Sequence, residues 1–169
     1  MFKKALLVAA VMSAVSINVA HAADGQIDFT GKFLATTCTI DNGDDNQKIA
    51  MGIFGADQVT AANQRLGHQP FKIGLTACET SLQNATVTFI GTADTTNKDL
   101  LKVDAATGVG IGLFENDGTP VKLGQPSKAV DLATNNAGVF NFNAQYVSTQ
   151  ALVTPGDANA TADFVINYQ

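Results

Sequence analysis

Apolar and polar residues alternate with period two along most of this chain, and no segment longer than a turn or two has a helical period. The strictest alternation is in residues 25–33. There Ile27, Phe29 and Phe33 share one face with Gly31 between them, and Gln26, Asp28, Thr30 and Lys32 fall on the other. This predicts a strand with one buried face, placed ahead of the first cysteine where chain ends ordinarily fray. Further strands are expected at residues 35–40, 71–77, 85–91, 100–103, 109–114, 121–123, 138–147 and 162–168, with a short edge strand at 48–54. Inward positions follow from the alternation: Phe71, Ile73 and Leu75; Val87 and Phe89; Phe140, Phe142, Ala144 and Tyr146; Phe164, Ile166 and Tyr168. Residues 41–46 read as a polar loop, 57–67 as a polar connection with one helical turn near Ala61, and 148–159 as a loop containing Pro155-Gly156. At 116–120, Asp117-Gly118 signals a turn in which glycine takes a positive φ.

So many short strands at this spacing predict an all-β fold, an antiparallel sandwich of immunoglobulin-like character. The last alternating run has no turn or strand after it, and residues 25–33 lead into the next strand with no reversing turn. The geometry therefore favours pairing of the N-terminal strand with another molecule.

Composition places the chain outside the cytoplasm. Lys3 and Lys4 precede an apolar run from Ala5 to Val15 and an Ala20-His-Ala22 site, which together predict a secretory signal peptide over residues 1–22, cut between Ala22 and Ala23. The run is too short to read as a membrane anchor. Without the leader, eight basic residues face fifteen acidic ones over 147 residues, a net charge of −7. That acidity argues against nucleic acid and anionic lipid as partners. Cys38 and Cys78, an even pair in an oxidising compartment without C-x-x-C spacing, read as one structural disulfide.

Candidate chemistry adds little. His68 is the one histidine outside the leader and sits in a Gly-His-Gln-Pro turn; with no second His or free Cys, it offers neither a metal site nor a Ser/His/Asp constellation. Asp41, Asp44 and Asp45 lack the spacing of a calcium loop. Residues 108–112 fail G-x-G-x-x-G at Leu113 and read as a strand whose glycines admit a close neighbour. No cofactor is expected.

Taken in order, residues 25–33 followed by Cys38, Pro70-Phe-Lys-Ile-Gly-Leu-Thr-Ala-Cys78, Val87-Thr-Phe-Ile-Gly91, Phe142-Asn-Ala-Gln-Tyr146, Thr154-Pro-Gly-Asp-Ala158 and Phe164-Val-Ile-Asn-Tyr-Gln169 resemble the subunits of chaperone–usher fimbriae, in particular the major pilins of type 1-like pili. The resemblance covers essentially the whole mature chain. It includes the family's penultimate tyrosine, at Tyr168, and its upstream glycine, at Gly156.

The resemblance implies an incomplete immunoglobulin-like sandwich lacking its last strand (residues 35–169), preceded by a donor-strand extension (23–34). Ile27, Phe29, Gly31 and Phe33 would enter the groove of a neighbouring subunit. Phe164, Ile166 and Tyr168, with Phe142 and Tyr146 from the other sheet, would edge the acceptor groove. The implied partners are copies of the chain or related pilins, a periplasmic chaperone, an outer-membrane usher and a tip adhesin. The implied role is a structural, non-enzymatic fimbrial subunit on the cell surface that supports adhesion and biofilm formation. A minor tip adaptor or adhesive module of the same fimbria is the alternative. An exported enzyme would require a pocket of clustered polar residues, for which the sequence offers no candidate.

Overall fold

The computed structural model describes residues 28–30 and 38–169. The chain divides into two compact units, Met1–Phe33 and Leu34–Gln169. In the first, residues 28–30 belong to no strand. The second is an all-β sandwich of nine strands among the described residues: β1 (Thr39–Ile40), β2 (Arg65–Thr76), β3 (Asn84–Gly91), β4 (Leu101–Lys102), β5 (Val109–Glu115), β6 (Pro120–Val121), β7 (Val130–Asp131), β8 (Gly138–Ser148) and β9 (Ala162–Tyr168). One sheet runs β1-β2-β8-β5-β4 with β6 also on β5; the other runs β7-β3-β9. Every named pairing is antiparallel.

Alternation builds the core. Ile73 and Leu75 of β2, Phe140, Phe142 and Ala144 of β8, and Ile111 and Leu113 of β5 line the inner face of the larger sheet. They meet Ala85, Val87 and Phe89 of β3, with Leu82 and Leu132 at one end of that sheet. Phe140 and Phe142 stack 6.0 Å apart, and Phe89 meets Phe142 edge-on at 5.0 Å. The β5–β6 hairpin turns where expected, with Gly118 at φ +82°. The Cys38–Cys78 disulfide is formed and joins the start of β1 to the end of β2.

The structure corrects four expectations. Residues 48–54 form no strand. The segment beside β2 is held by other bonds, from the Gln47 side chain to the Lys72 carbonyl (2.6 Å) and from the Gly74 N–H to the Asp44 carboxylate (2.8 Å). The helical turn is a single 3-10 turn at Ala56–Gln58 rather than near Ala61. Third, β2 starts at Arg65, inside the stretch read as a connection, because a bulge between Leu66 and Gln69 absorbs the Gly-His punctuation. Pro70 follows it at a point where β2 is paired only with β8, so its missing N–H leaves no ladder bond unmade. Finally, β7 was not expected; two residues are too few to alternate.

Candidate functional site

The chain crosses between the sheets from β6 to β7, which closes one flank of the sandwich; β9 and β2 stand at the opposite flank. Strand β9 pairs with β3 from Ala162↔Gly91 to Tyr168↔Ala85, and among the described residues no strand pairs with its other side. The consequence shows in burial. Val87 and Phe89 on β3 are buried, whereas their inward-facing partners on β9, Ile166 and Phe164, are only half-buried, as is Tyr168. Alternation turns these three side chains towards the core, and the strands among the described residues leave them partly uncovered.

An aromatic line leads inward from this flank. The Phe164 ring lies 6.5 Å from Phe89, which lies 6.1 Å from Phe71 of β2; Phe71 is 5.5 Å from Phe142. Phe71 is half-buried, while Phe142 is only 1% exposed. Phe142 thus lies beneath the flank within the closed core. The half-buried Phe71 is the β2 side chain that reaches the flank. Sequence reasoning placed Phe71 inward and did not assign it to the flank, because no signal in the sequence reports that β2 has a single partner strand at Phe71.

Beyond the start of β9 the flank opens into a cavity of about 430 Å³, whose lining includes Phe54, Leu66, Val109, Tyr146, Val153 and Ala158. Phe54 meets the Tyr146 ring edge-on at 5.9 Å. The Tyr146 hydroxyl donates to the Ala158 carbonyl at 2.9 Å, and burial pushes its phenol pKa up, with the nearby Asp104 charge adding to the effect. Asp104 ties the loop before β9 in place. Its carboxylate accepts the Asn159 side-chain amide and backbone N–H, both at 3.0 Å. Those bonds, the side-chain one first, hold the carboxyl below the ordinary range. The Ala105 and Ala106 N–H groups donate to the Asp157 carbonyl at 2.9 Å. Gly156 is required here, since a Cβ would stand 2.9 Å from the Ala106 nitrogen.

Among the described residues no three His, Cys, Asp or Glu side chains gather as a metal site. His68 is exposed and accepts a bond from the Gln145 amide at 3.2 Å. Of the expected donor residues only Phe29 is described, and it is exposed; Ile27, Gly31 and Phe33, like Ala22 and Ala23, lie outside the described residues. What the arrangement can do is accept an extended apolar segment along β9; it groups no acid, base and nucleophile.

Residues 27–169 match the family described as Fimbrial protein. The chain is 34% identical, over 96% of its length and 94% of the relative's, to the probable major fimbrial subunit LpfA of Escherichia coli O157:H7. It is 33% identical to the type-1 fimbrial protein subunit of Serratia marcescens, over 99% of both. Among solved structures, the Burkholderia pseudomallei antigen and type I fimbria protein BPSL1626 matches at TM-score 0.62 and 38% identity, covering 79% of this chain and 90% of that one. The P pilus rod subunit PapA, at 21% identity, shares the fold with TM-score 0.69 over 79% of this chain and all of its own.

Proposed function

Because the chain belongs to the fimbrial protein family, we propose that it polymerises by strand donation, residues 25–33 of one copy completing the open flank along β9 of the next. The chain is a structural subunit of a surface fimbria, exported through the periplasm. The observation that carries the mechanism is the half-covered inward face of β9, Phe164, Ile166 and Tyr168, on an edge with no partner strand among the described residues. An added strand there would gain ladder bonds along its backbone, and side chains at alternate positions would enter the flank; chaperone–pilin complexes are a known instance of such strand addition.

In this reading Ile27, Phe29 and Phe33 supply the apolar side chains, and Gly31 passes where the flank is shallow. Phe71 joins Phe164, Ile166, Tyr168 and Tyr146 as a wall, and Phe142 supports the floor from the core. An open apolar edge is an aggregation hazard, so a periplasmic chaperone covers it until an outer-membrane usher presents the donor. The same account needs no cofactor and no catalytic group. Fibres built this way serve adhesion and biofilm formation.

Electron microscopy of cell-surface fibres tests it, using a chain lacking residues 24–33 with its leader intact, and the single variant Phe29→Asp. Loss of fibres with soluble subunit still in the periplasm is the expected result for both. Fibres of ordinary length from the truncated chain would overturn the mechanism.

A further inference from the structure

The outward face of the larger sheet carries a second organised surface, remote in chemistry from the β9 flank. Lys102, Gly110, Val147 and Arg65 are paired in one row across β4, β5, β8 and β2, so their side chains share the outward face. Beside this row Leu100, Phe114 and Val147 form an apolar cluster of their own, each at most 7% exposed although on the outer side of the sheet. Gly112 makes this possible: the Phe114 ring leans over it, and a Cβ there would stand 2.9 Å from both the ring and a Val147 methyl. The Arg65 guanidinium lies over that ring, its Cζ 3.9 Å from the centroid. The cation–π contact holds the guanidinium over the ring while Arg65 stays exposed, and an exposed guanidinium suits a carboxylate. Among the described residues the ion pairs are Lys122–Asp99 and Lys128–Asp117, so neither Arg65 nor Lys102 has an acidic partner.

The other end of the same face is acidic. Gly74 faces outward about 30 Å along β2 from Arg65, and the Asp41 side chain packs over it. Asp44 accepts the Gly74 N–H, and Asp45 is exposed, with no side-chain bond among the described residues. Asp41, Asp44 and Asp45 stand there against Lys72, on the same face of β2, and Lys48, three residues beyond Asp45. Between the two ends, Asn143 Oδ1 and Gln145 Oε1 are buried with no hydrogen-bond partner among the described residues, a rare state for buried acceptors.

We propose that this face is a contact between copies of the chain, the Asp41–Asp45 loop of one seated on the Arg65–Lys102 end of another. Charge complementarity selects the occupant: in a chain of net charge −5, Arg65 and Lys102, neither paired with an acid among the described residues, share a face with an acid-rich loop at its far end. The two ends are different surfaces, so the contact is head-to-tail and repeats from copy to copy without closing. The proposal rests on the chain being a fimbrial subunit, and holds whichever strand joins the copies end to end.

The test compares fibres sheared from cells that express wild type, Arg65→Glu, Asp45→Lys and the double exchange. Each single variant is expected to change fibre diameter and axial repeat in electron micrographs, and the double exchange to restore both. As a second measurement, fibres of the pair Arg65→Cys and Asp45→Cys in one chain should give a reducible ladder of cross-linked subunits after full dissociation, at least tenfold above either single cysteine. Unchanged geometry in the single variants, or intact fibres of the double-cysteine chain that dissociate to monomers only, would overturn the contact. Loss of heparin binding by Arg65→Glu with fibre geometry unchanged would overturn it too, assigning the face to an anionic polysaccharide. Failure of the wild-type chain to form any fibre would bring down the subunit reading itself.

Discussion

Single side chains make sharp demands on this fold. Gly112 lies under the Phe114 ring and against Val147, both within 2.9 Å of where a Cβ would be. A Gly112→Val substitution must displace the ring and with it the guanidinium above; overpacking of this kind costs about 1–3 kcal/mol. A lower thermal midpoint of the variant, with lost protection of β5 amides, is the expected outcome. Asp104 makes the matching case for charge. Its pKa is lowered from an ordinary 3.8 by the Asn159 bonds, so it binds protons less readily folded than unfolded. The stabilisation it lends the loop before β9 is therefore complete above the ordinary carboxylate pKa and is lost as pH falls through the lowered one. Hydrogen exchange should find the Ala105, Ala106 and Asn159 amides protected at neutral pH and the protection reduced once acid has titrated the Asp104 carboxyl through its lowered pKa. In Asp104→Ala the protection should be low in both conditions.

At the scale of elements, legibility followed alternation. Strands β3, β8 and β9 were readable to within a residue at each end, because each sets apolar side chains on a core face and polar ones on a solvent face. Strand β2 was readable only from Phe71 onward; before it, the bulge at Gly67-His68 breaks the period while the pairing to β8 continues. The edge strand expected at 48–54 failed for a different reason. Its apolar residues Met51, Ile53 and Phe54 do fall near the flank, but Ile53 is fully exposed and the local hydrogen bonds come from side chains. Of the candidate groove, the residues on β9 were legible from their face, and Tyr146 from β8. Phe142 shares that β8 face yet lies deeper, and period two cannot report depth. Phe71 required knowing that β2 has only one partner strand along most of its length, a property of pairing that one strand's sequence does not carry.

Across the whole molecule, one covalent tie links the first described strand to the sandwich. Cys38 and Cys78 close a separation of 40 residues, which by chain entropy contributes up to roughly 4 kcal/mol. Replacing both by Ala should lower periplasmic subunit levels and the thermal midpoint together; unchanged values would mean that the loop is held equally well by β1 and the Asp44–Gly74 bond. The register of the two sheets has a further consequence, for time rather than stability. Phe89 pairs with Phe164 and Ile73 with Phe140, partners about 70 residues apart in the chain. Closing such distances must precede most of the gain from pairing, and topologies dominated by distant partners fold in milliseconds to seconds, whereas helical bundles take microseconds to milliseconds. Until those pairings close, the apolar faces of β3 and β9 lack their partners and stay open to any other chain nearby. The order in which rescuing contacts arrive in the periplasm becomes as decisive for yield as the depth of the final free-energy minimum.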